Sequence, residues 1–346
     1  MNDEIVPKAP VRITDVARLA GVSNATVSRV LSRPALVADA TRDSVMRAVA
    51  ATGYRVNHAA RNLRKQRTGA VVALLPNLGN PFFAKIIAAM GRELGRAGYD
   101  LLISDTQGDG ARGEAARGQA MRRFLDPSRA DGIVLFDGLV PPEAVSGSGP
   151  LPPVVSACEW IEGAALPRVM LDNAAGTRIA AEHLRQLGHR RIACIGGPAR
   201  NVLHLTRMAG MNAALGPDGF QVFTGDFTLE TGVRAAAEWR ALAPDRRPTG
   251  IVAFSDEMAW GFISDLLHHG FTVPRDVSVV GFDDIELAAH LIPPLTTVRQ
   301  PKREIGRLAA LAILALIEGR PVADHTTLTP ELIIRQSTAP PPGDRG

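Results

Sequence analysis

Cysteine is nearly absent: Cys158 and Cys194 are the only two in 346 residues. Each lies in an apolar run of the kind that forms a buried strand, with no partner at CxxC or Cys/His spacing. Buried thiols are therefore expected, rather than a disulfide framework or a zinc site. No apolar run approaches the ~20 residues that span a bilayer, and the first ten residues are polar and charged where a signal peptide would be apolar. A cytoplasmic protein with no membrane partner is expected. The catalytic signatures GxSxG, GxxxxGK[ST] and HExxH are all missing, which argues against an enzyme and gives no reason to expect a cofactor or a metal. The pair His268 and His269 falls near a predicted helix end, where it suits the helix dipole better than a metal.

What is present is unevenly spread. The length calls for two or three globular units. Residues 1–68 hold 12 Lys and Arg against 5 Asp and Glu, a charge of +7, whereas the remainder holds 27 against 30. A basic head on a mildly acidic body fits a nucleic-acid-binding module joined to something else. The head, about 13–67, has helical patterning only. From residue 70, short apolar runs alternate with amphipathic helices: VVALLP (71–76), DLLISDT (100–106), GIVLF (132–136), PVVSAC (153–158), RIACIGG (191–197), GIVAFSD (250–256) and DVSVVGFDD (276–284). Helices are predicted over 81–96, 174–187 and 257–269, the last two followed by Gly188 and Gly270.

Strands apolar on both faces, alternating with helices, imply parallel sheets covered on each side. The body is thus read as α/β, doubly wound, and long enough for two lobes. Ligands of such sheets sit beyond the C-terminal strand ends, which singles out Asp105, Glu159, Ser255, Asp256, Asp283 and Asp284. Residues 137–152 read as a loop and 339–346 as a disordered tail.

Within the head, ITDVARLAGVSNATVSRVL places Ile13, Val16, Ala17 and Ala20 on one helical stripe, breaks it at Gly21, and restarts at Ser23 with Val27, Val30 and Leu31. This is a helix-turn-helix, Gly21 supplying the turn and Ser23 the cap of helix two. Asn24, Ala25, Thr26, Ser28 and Arg29 would face a major groove. Arg29 could read guanine in bidentate fashion or touch only phosphate.

DVARLAGVSNATVSRVL followed by TGYRVNHAARNLRKQRTGAVVALL is similar to the lactose/galactose repressor family. So are NPFFAKI at 80, LGHRRIACIGGP at 187, TRMAGMNAAL at 206, FSDEMAWG at 254, VSVVGFDD at 277 and PPLTTVRQP at 293, in order along the chain. The resemblance implies a helix-turn-helix over 1–56 and a hinge helix with linker over 57–68. An effector-binding domain follows over 69–338, its N-lobe about 69–170 plus 299–325 and its C-lobe about 171–298 plus 326–338. It implies that Leu63 is the leucine wedged into the minor groove when the hinge folds on DNA, with Asn57, Ala60, Arg61, Arg64 and Lys65 beside it. A short helix is marginal in water, which agrees with folding on DNA. Val56 and Arg12 depart from the family's usual proline and threonine; the second leaves Thr14 as a substitute cap near the DNA.

The body resembles type I periplasmic-binding-protein lobes, in which a small ligand lies between subdomains. The motif matches imply ligand contacts from Asn80, Phe82, Phe83, Asp105 and Glu159 on one side, and from Arg207, Phe227, Ser255, Asp256 and Asp283 on the other. Phe82 and Phe83 could equally be core, and Asp283 could merely end a strand; Arg207, a guanidinium buried in a helix, needs a partner. Asp172 and Asn173 are expected to cap a helix. The SACEW stretch around Glu159 looks closer to the cytidine-responsive branch than to the lactose repressor, which sets a nucleoside beside sugars as the effector. The resemblance further implies a homodimer on a pseudo-palindromic double-stranded operator, with effector binding closing the cleft and changing operator affinity. No leucine heptad follows Arg335 to support a tetramer. An exported solute-binding protein would share the cleft but not the basic head, and activation or corepression would use the same parts with another sign.

Overall fold

Three short helices build the first of two units into which the chain divides, residues 1–66 and 67–346. The computed structural model describes residues 11–54, 67–107, 113–146 and 151–341. Helices α1 (Ile13–Ala20), α2 (Asn24–Ser32) and α3 (Asp39–Thr52) enclose Val16, Ala17, Val27, Val30, Val45 and Ala48, with Ile13, Ala20 and Leu31 against them. Gly21 takes the left-handed conformation (φ 68°) that ends α1, as the turn requires. Ser23 Oγ accepts from the Thr26 N–H at 3.1 Å. The first helix is capped differently from expectation. Asp15 reaches back to accept the Arg12 N–H at 3.0 Å, while Thr14 sits exposed inside the first turn and caps nothing among the described residues. The hinge residues Asn57, Ala60, Arg61, Leu63 and Arg64 lie outside the described residues.

The second unit contains two six-stranded sheets. One comprises β1 (Ala70–Leu75), β2 (Asp100–Asp105), β3 (Gly132–Leu135), β4 (Val154–Ala157), β5 (Arg168–Leu171) and β11 (His325–Leu328), in the order β11-β5-β4-β3-β1-β2 and wholly parallel. The other comprises β6 (Ile192–Ile195), β7 (Gln221–Phe223), β8 (Gly250–Ala253), β9 (Ser278–Asp283), β10 (Thr296–Arg299) and β12 (Glu331–Ile333), in the order β12-β10-β9-β8-β6-β7. All its pairs are parallel except β12 with β10. Both sheets repeat the 2-1-3-4-5 winding of a doubly wound fold. Helices α4 (Phe82–Arg96), α5 (Glu114–Phe124) and α10 (Lys302–Ile317) belong to the first lobe. Helices α6 (Asn173–Gln186), α7 (Val202–Leu215), α8 (Leu229–Ala241) and α9 (Asp256–His268) belong to the second. Among the described residues no helix is long and apolar enough to cross a membrane.

The chain crosses between lobes after β5, after β10 and after β11. The last crossing follows Leu328, beside the boundary at about 325 that the resemblance implies, because HTTL, with one apolar residue, pairs with β5. DLLISD, read as apolar on both faces, is an edge strand whose Leu102 and Ile103 are 45% and 48% exposed. Cys194 lies within β6 as expected, whereas Cys158 stands one residue past β4, where the backbone turns left-handed (φ 65°). Ala339, placed in the disordered tail by composition, is held in place: its N–H donates to Ser278 Oγ at 3.0 Å and its carbonyl accepts from the same hydroxyl at 2.9 Å.

A close helix–helix approach fixes the position of α7. At Gly210 of this helix, an added Cβ would lie 2.1 Å from both Ala174 O and Thr177 Oγ1 of α6, so only glycine lets the two helices meet. The same Thr177 hydroxyl donates to Arg207 O at 2.7 Å, which locks the turn bearing Arg207. Gly→Ala within a helix ordinarily gains up to about 1 kcal/mol. Here Gly210→Ala is expected to destabilise the body by about 1–3 kcal/mol through overpacking. Urea unfolding followed by tryptophan fluorescence reads this directly, since Trp160, Trp239 and Trp260 are all in the second unit; an unchanged midpoint would show the helices free to slide apart.

Candidate functional site

Parallel strands deliver their C-terminal ends to one edge, and here the two sheets present those edges to a shared cavity of about 570 Å³. The first lobe contributes Asn80, Phe82 and Phe83 from the turn into α4, Asp105 ending β2, Asp137 after β3, and Cys158 and Glu159 after β4. The second contributes Asn201 and Arg207 at and within α7, Asp226 and Phe227 after β7, Ser255 after β8, Asp283 ending β9 and Gln300 after β10. Nine of the ten residues expected from the sequence thus meet here: Asn80, Phe82, Phe83, Asp105, Glu159, Arg207, Phe227, Ser255 and Asp283.

Asp256 is the exception. It is fully buried beneath the cavity floor, accepting from the Ile285 N–H at 2.8 Å and from Thr297 Oγ1 at 2.5 Å. Burial, with Asp283 nearby, pushes its carboxyl well above the usual range. Its strand-end position is that of a ligand residue, but the side chain points back into the sheet and ties the start of α9 to β10. Asp284 is likewise diverted, into ion pairs with Arg299 (2.7 Å) and Arg335 (2.6 Å) that hold its carboxyl below the ordinary value.

Arg207 is the most constrained polar group. It is 2% exposed, donates through Nε to Asn173 Oδ1 at 2.9 Å and through Nη1 to the Phe254 carbonyl, and lies over the Phe282 ring at 3.7 Å. Burial lowers its pKa to about 10 and leaves it charged at neutral pH. Asn173, expected only as a helix cap with Asp172, is therefore the support of this guanidinium; Asp172 makes the cap, accepting from the Ala175 N–H at 2.9 Å. The rings of Phe82 and Phe83 meet edge to face at 5.1 Å, and both are core as well as cavity lining.

Glu159 links the lobes. Its Oε2 accepts from the Gly138 N–H of its own lobe and from Asn201 Nδ2 of the other, each at 2.9 Å. Burial, reinforced by Asp137, raises this carboxyl to about 7, and burial raises Asp283 to about 6. Asp137 accepts from Thr106 Oγ1 at 2.5 Å and from Arg117 Nε at 2.9 Å. Asp137, Arg117, Asn201, Asp226 and Gln300 were not singled out from the sequence. Asp137 directly follows GIVLF, so the strand-end rule would have found it had the residue not been assigned to a loop. Asp226 and Gln300 follow strands with too few apolar residues to recognise.

In the head, Val27 and Val30 turn α2 inward, leaving Asn24, Ala25, Ser28 and Arg29 exposed and Thr26 half-buried. The Arg29 side chain makes no hydrogen bond or ion pair among the described residues. Ser23 is exposed at the start of this helix, with Oγ also 2.9 Å from Thr26 Oγ1.

A helix-turn-helix with an open polar face, followed by two doubly wound lobes around a polar and aromatic cleft, defines a DNA-binding protein with a small-molecule domain. Residues 12–57 match the bacterial regulatory proteins of the lacI family, and residues 181–338 match the periplasmic binding protein-like domain. The chain is 36% identical over 334 residues to the HTH-type transcriptional repressor CytR of Escherichia coli (strain K12), covering 94% of this chain and 95% of that one. It is 33% identical to the HTH-type transcriptional repressor PurR of Photobacterium profundum, covering 94% and 98%. The solved lac repressor dimer, bound to operator and the anti-inducer ONPF, superimposes with a TM-score of 0.81 at 27% identity, over 95% of this chain and 99% of that one. The chain belongs to the lacI family of bacterial regulatory proteins and is a DNA-binding regulator of transcription.

Because burial raises the Glu159 pKa above its unfolded value, the folded protein binds the extra proton, and the stability tied to it is lost as pH rises from the ordinary carboxylate range through about 7. Glu159→Gln keeps an acceptor and removes the titration. The stability of the variant relative to the parent should therefore increase between pH 5 and pH 7.5 in urea unfolding. Parallel pH profiles would mean that Glu159 ionises freely in the folded state.

Proposed function

We propose that this protein is a cytoplasmic repressor, without catalytic activity, whose affinity for its operator is set by a small effector bound in the cleft. The effector is a sugar, sugar derivative or nucleoside. The observation that carries the reading is the convergence of nine residues, expected from the motif resemblance, on one cavity at the sheet edge where doubly wound folds take their ligands. Aromatic faces from Phe82, Phe83 and Phe227, with the guanidinium of Arg207 and the carboxylates of Glu159 and Asp283, suit a ring that carries hydroxyl groups. Asn24, Ala25, Thr26, Ser28 and Arg29 read base edges, Ser23 and Thr14 lie against the backbone, and the hinge residues Asn57, Ala60, Arg61, Leu63 and Arg64 complete the contact from the minor groove. The working unit is a homodimer; the exposed Leu102 and Ile103 on edge strand β2 are apolar surface that a second copy would cover. Effector binding lowers operator affinity, a coupling of about 1–3 kcal/mol that acts equally in the reverse direction.

The test starts from DNA that the full-length protein selects out of a random duplex pool. Thermal unfolding against nucleosides, purines, pentoses and hexoses should show one class shifting the transition, since a ligand at 100 times its Kd adds about 2.7 kcal/mol. Titration of the selected DNA with and without that ligand should then differ about 5- to 150-fold; coincident curves would refute effector control. Arg29→Ala should cost about 1–3 kcal/mol on the selected site and relax the preference at one base position. A uniform loss on all sequences would assign Arg29 to phosphate.

A further inference from the structure

We infer that the cleft selects an uncharged, hydroxyl-bearing effector and rejects its phosphorylated counterpart. This rests on the reading of the cleft as the effector site and narrows the ligand class.

The charges of the lining are unbalanced. Five carboxylates face the cavity: Asp105, Asp137, Glu159, Asp226 and Asp283. Only two cations do, Arg117 and Arg207, and no lysine or histidine lines it among the described residues. With all groups ionised the described lining residues carry −3. Both cations are also engaged: Arg117 is paired with Asp137 at 2.9 Å, and Arg207 is pinned by Asn173, the Phe254 carbonyl and the Phe282 ring. Lys302 lies behind Asp283 but spends its ammonium on the carbonyls of Asp283 and Asp284 and does not line the cavity.

Helix N-termini are the other ordinary anchor for a phosphate, and four of them, those of α4, α7, α8 and α9, begin at this cleft. Each already has a side-chain oxygen on one of its first N–H groups. Asn80 Oδ1 accepts from Phe82 at 2.8 Å, Asn201 Oδ1 from Leu203 at 2.7 Å, Thr228 Oγ1 from Thr231 at 3.4 Å and Ser255 Oγ from Met258 at 3.2 Å. Their dipoles offset part of the negative charge without presenting an open anion site.

What remains for a ligand is largely acceptors. Glu159 Oε1 and Asp226 Oδ2 receive no hydrogen bond among the described residues, although the other oxygen of each is fully used. A carboxylate oxygen accepts hydroxyl and amine donors and repels a phosphate oxygen. Hydroxyl groups on a neutral ring answer these acceptors and can accept from the remaining Nη groups of Arg117 and Arg207. Among the described residues, a phosphate dianion brought among five carboxylates meets Arg117, already paired with Asp137, and Arg207, whose Nε and Nη1 are already spent on Asn173 and the Phe254 carbonyl.

Isothermal titration of the full-length protein at pH 8 with matched pairs tests this: ribose and ribose 5-phosphate, glucose and glucose 6-phosphate, cytidine and cytidine 5′-monophosphate, adenosine and adenosine 5′-monophosphate. In the pair that binds, the phosphorylated member is expected to be weaker by about a hundredfold or more, from repulsion in a partly desolvated site. Equal or tighter binding of the phosphorylated member overturns the inference while leaving effector control intact. Binding by neither member of any pair overturns the effector reading, and the inference with it. Glu159→Gln, which keeps one acceptor oxygen for the Gly138 and Asn201 donors and removes one charge, should narrow the gap about tenfold. A gap unchanged in that variant would assign the discrimination to shape and refute the role of charge.

Discussion

A guanidinium taken out of water must be met on every side, and Arg207 organises the second lobe around that demand. Asn173 opens α6 directly after the crossover between lobes, the Phe254 carbonyl comes one residue past β8, and the Phe282 ring from β9. One side chain therefore fixes the relative position of α7, the crossover and two strand ends, which are the parts of this lobe that form the cavity wall. Thr177 and Gly210 repeat the constraint in the backbone of α7, holding it against α6 at a separation no larger residue permits. The cavity and the fold of this lobe are one structure, because the charge that lines the cavity is anchored in the core.

The first lobe meets it through a carboxylate. Glu159 is shared between the Gly138 amide and the Asn201 amide, and Asn201 caps the helix that carries Arg207. The acid from one lobe and the base from the other are thus joined by a single residue at the start of α7. Burial keeps Asp283, and burial with Asp137 beside it keeps Glu159, near the point of protonation at neutral pH, so the electrostatics of the cleft depend on how many of them are ionised.

Much of this was legible without coordinates. Seven apolar runs marked seven strands, and a single rule about strand ends then pointed to Asp105, Glu159, Ser255 and Asp283. The same rule also returned Asp256 and Asp284, which the structure turns away from the cavity. Sequence position places a residue at a strand end, but side-chain direction comes from the local backbone and from competing partners. Thr297 and the Ile285 amide claim Asp256, and two arginines claim Asp284. Five strands were not recognised: β7, β11 and β12 are short, half-solvated edge strands, and the interior strands β5 (RVML) and β10 (TTVR) are four residues long with polar residues among them, so the continuous apolar run is absent. The family resemblance, not the pattern alone, brought Arg207 and Phe227 to notice.

By itself the sequence determined a helix-turn-helix head and a doubly wound α/β body, because helical periodicity, strand-length apolar runs and capping chemistry are local properties; the regulatory family followed from the resemblance of its ordered motifs. Only the tertiary structure decided which polar residues share a cavity, which acids are spent on structural bonds, and how the charges balance. Those outcomes depend on groups far apart in the chain, such as Glu159 with Asn201 and Arg207 with Phe282, being packed together in a medium that screens them poorly.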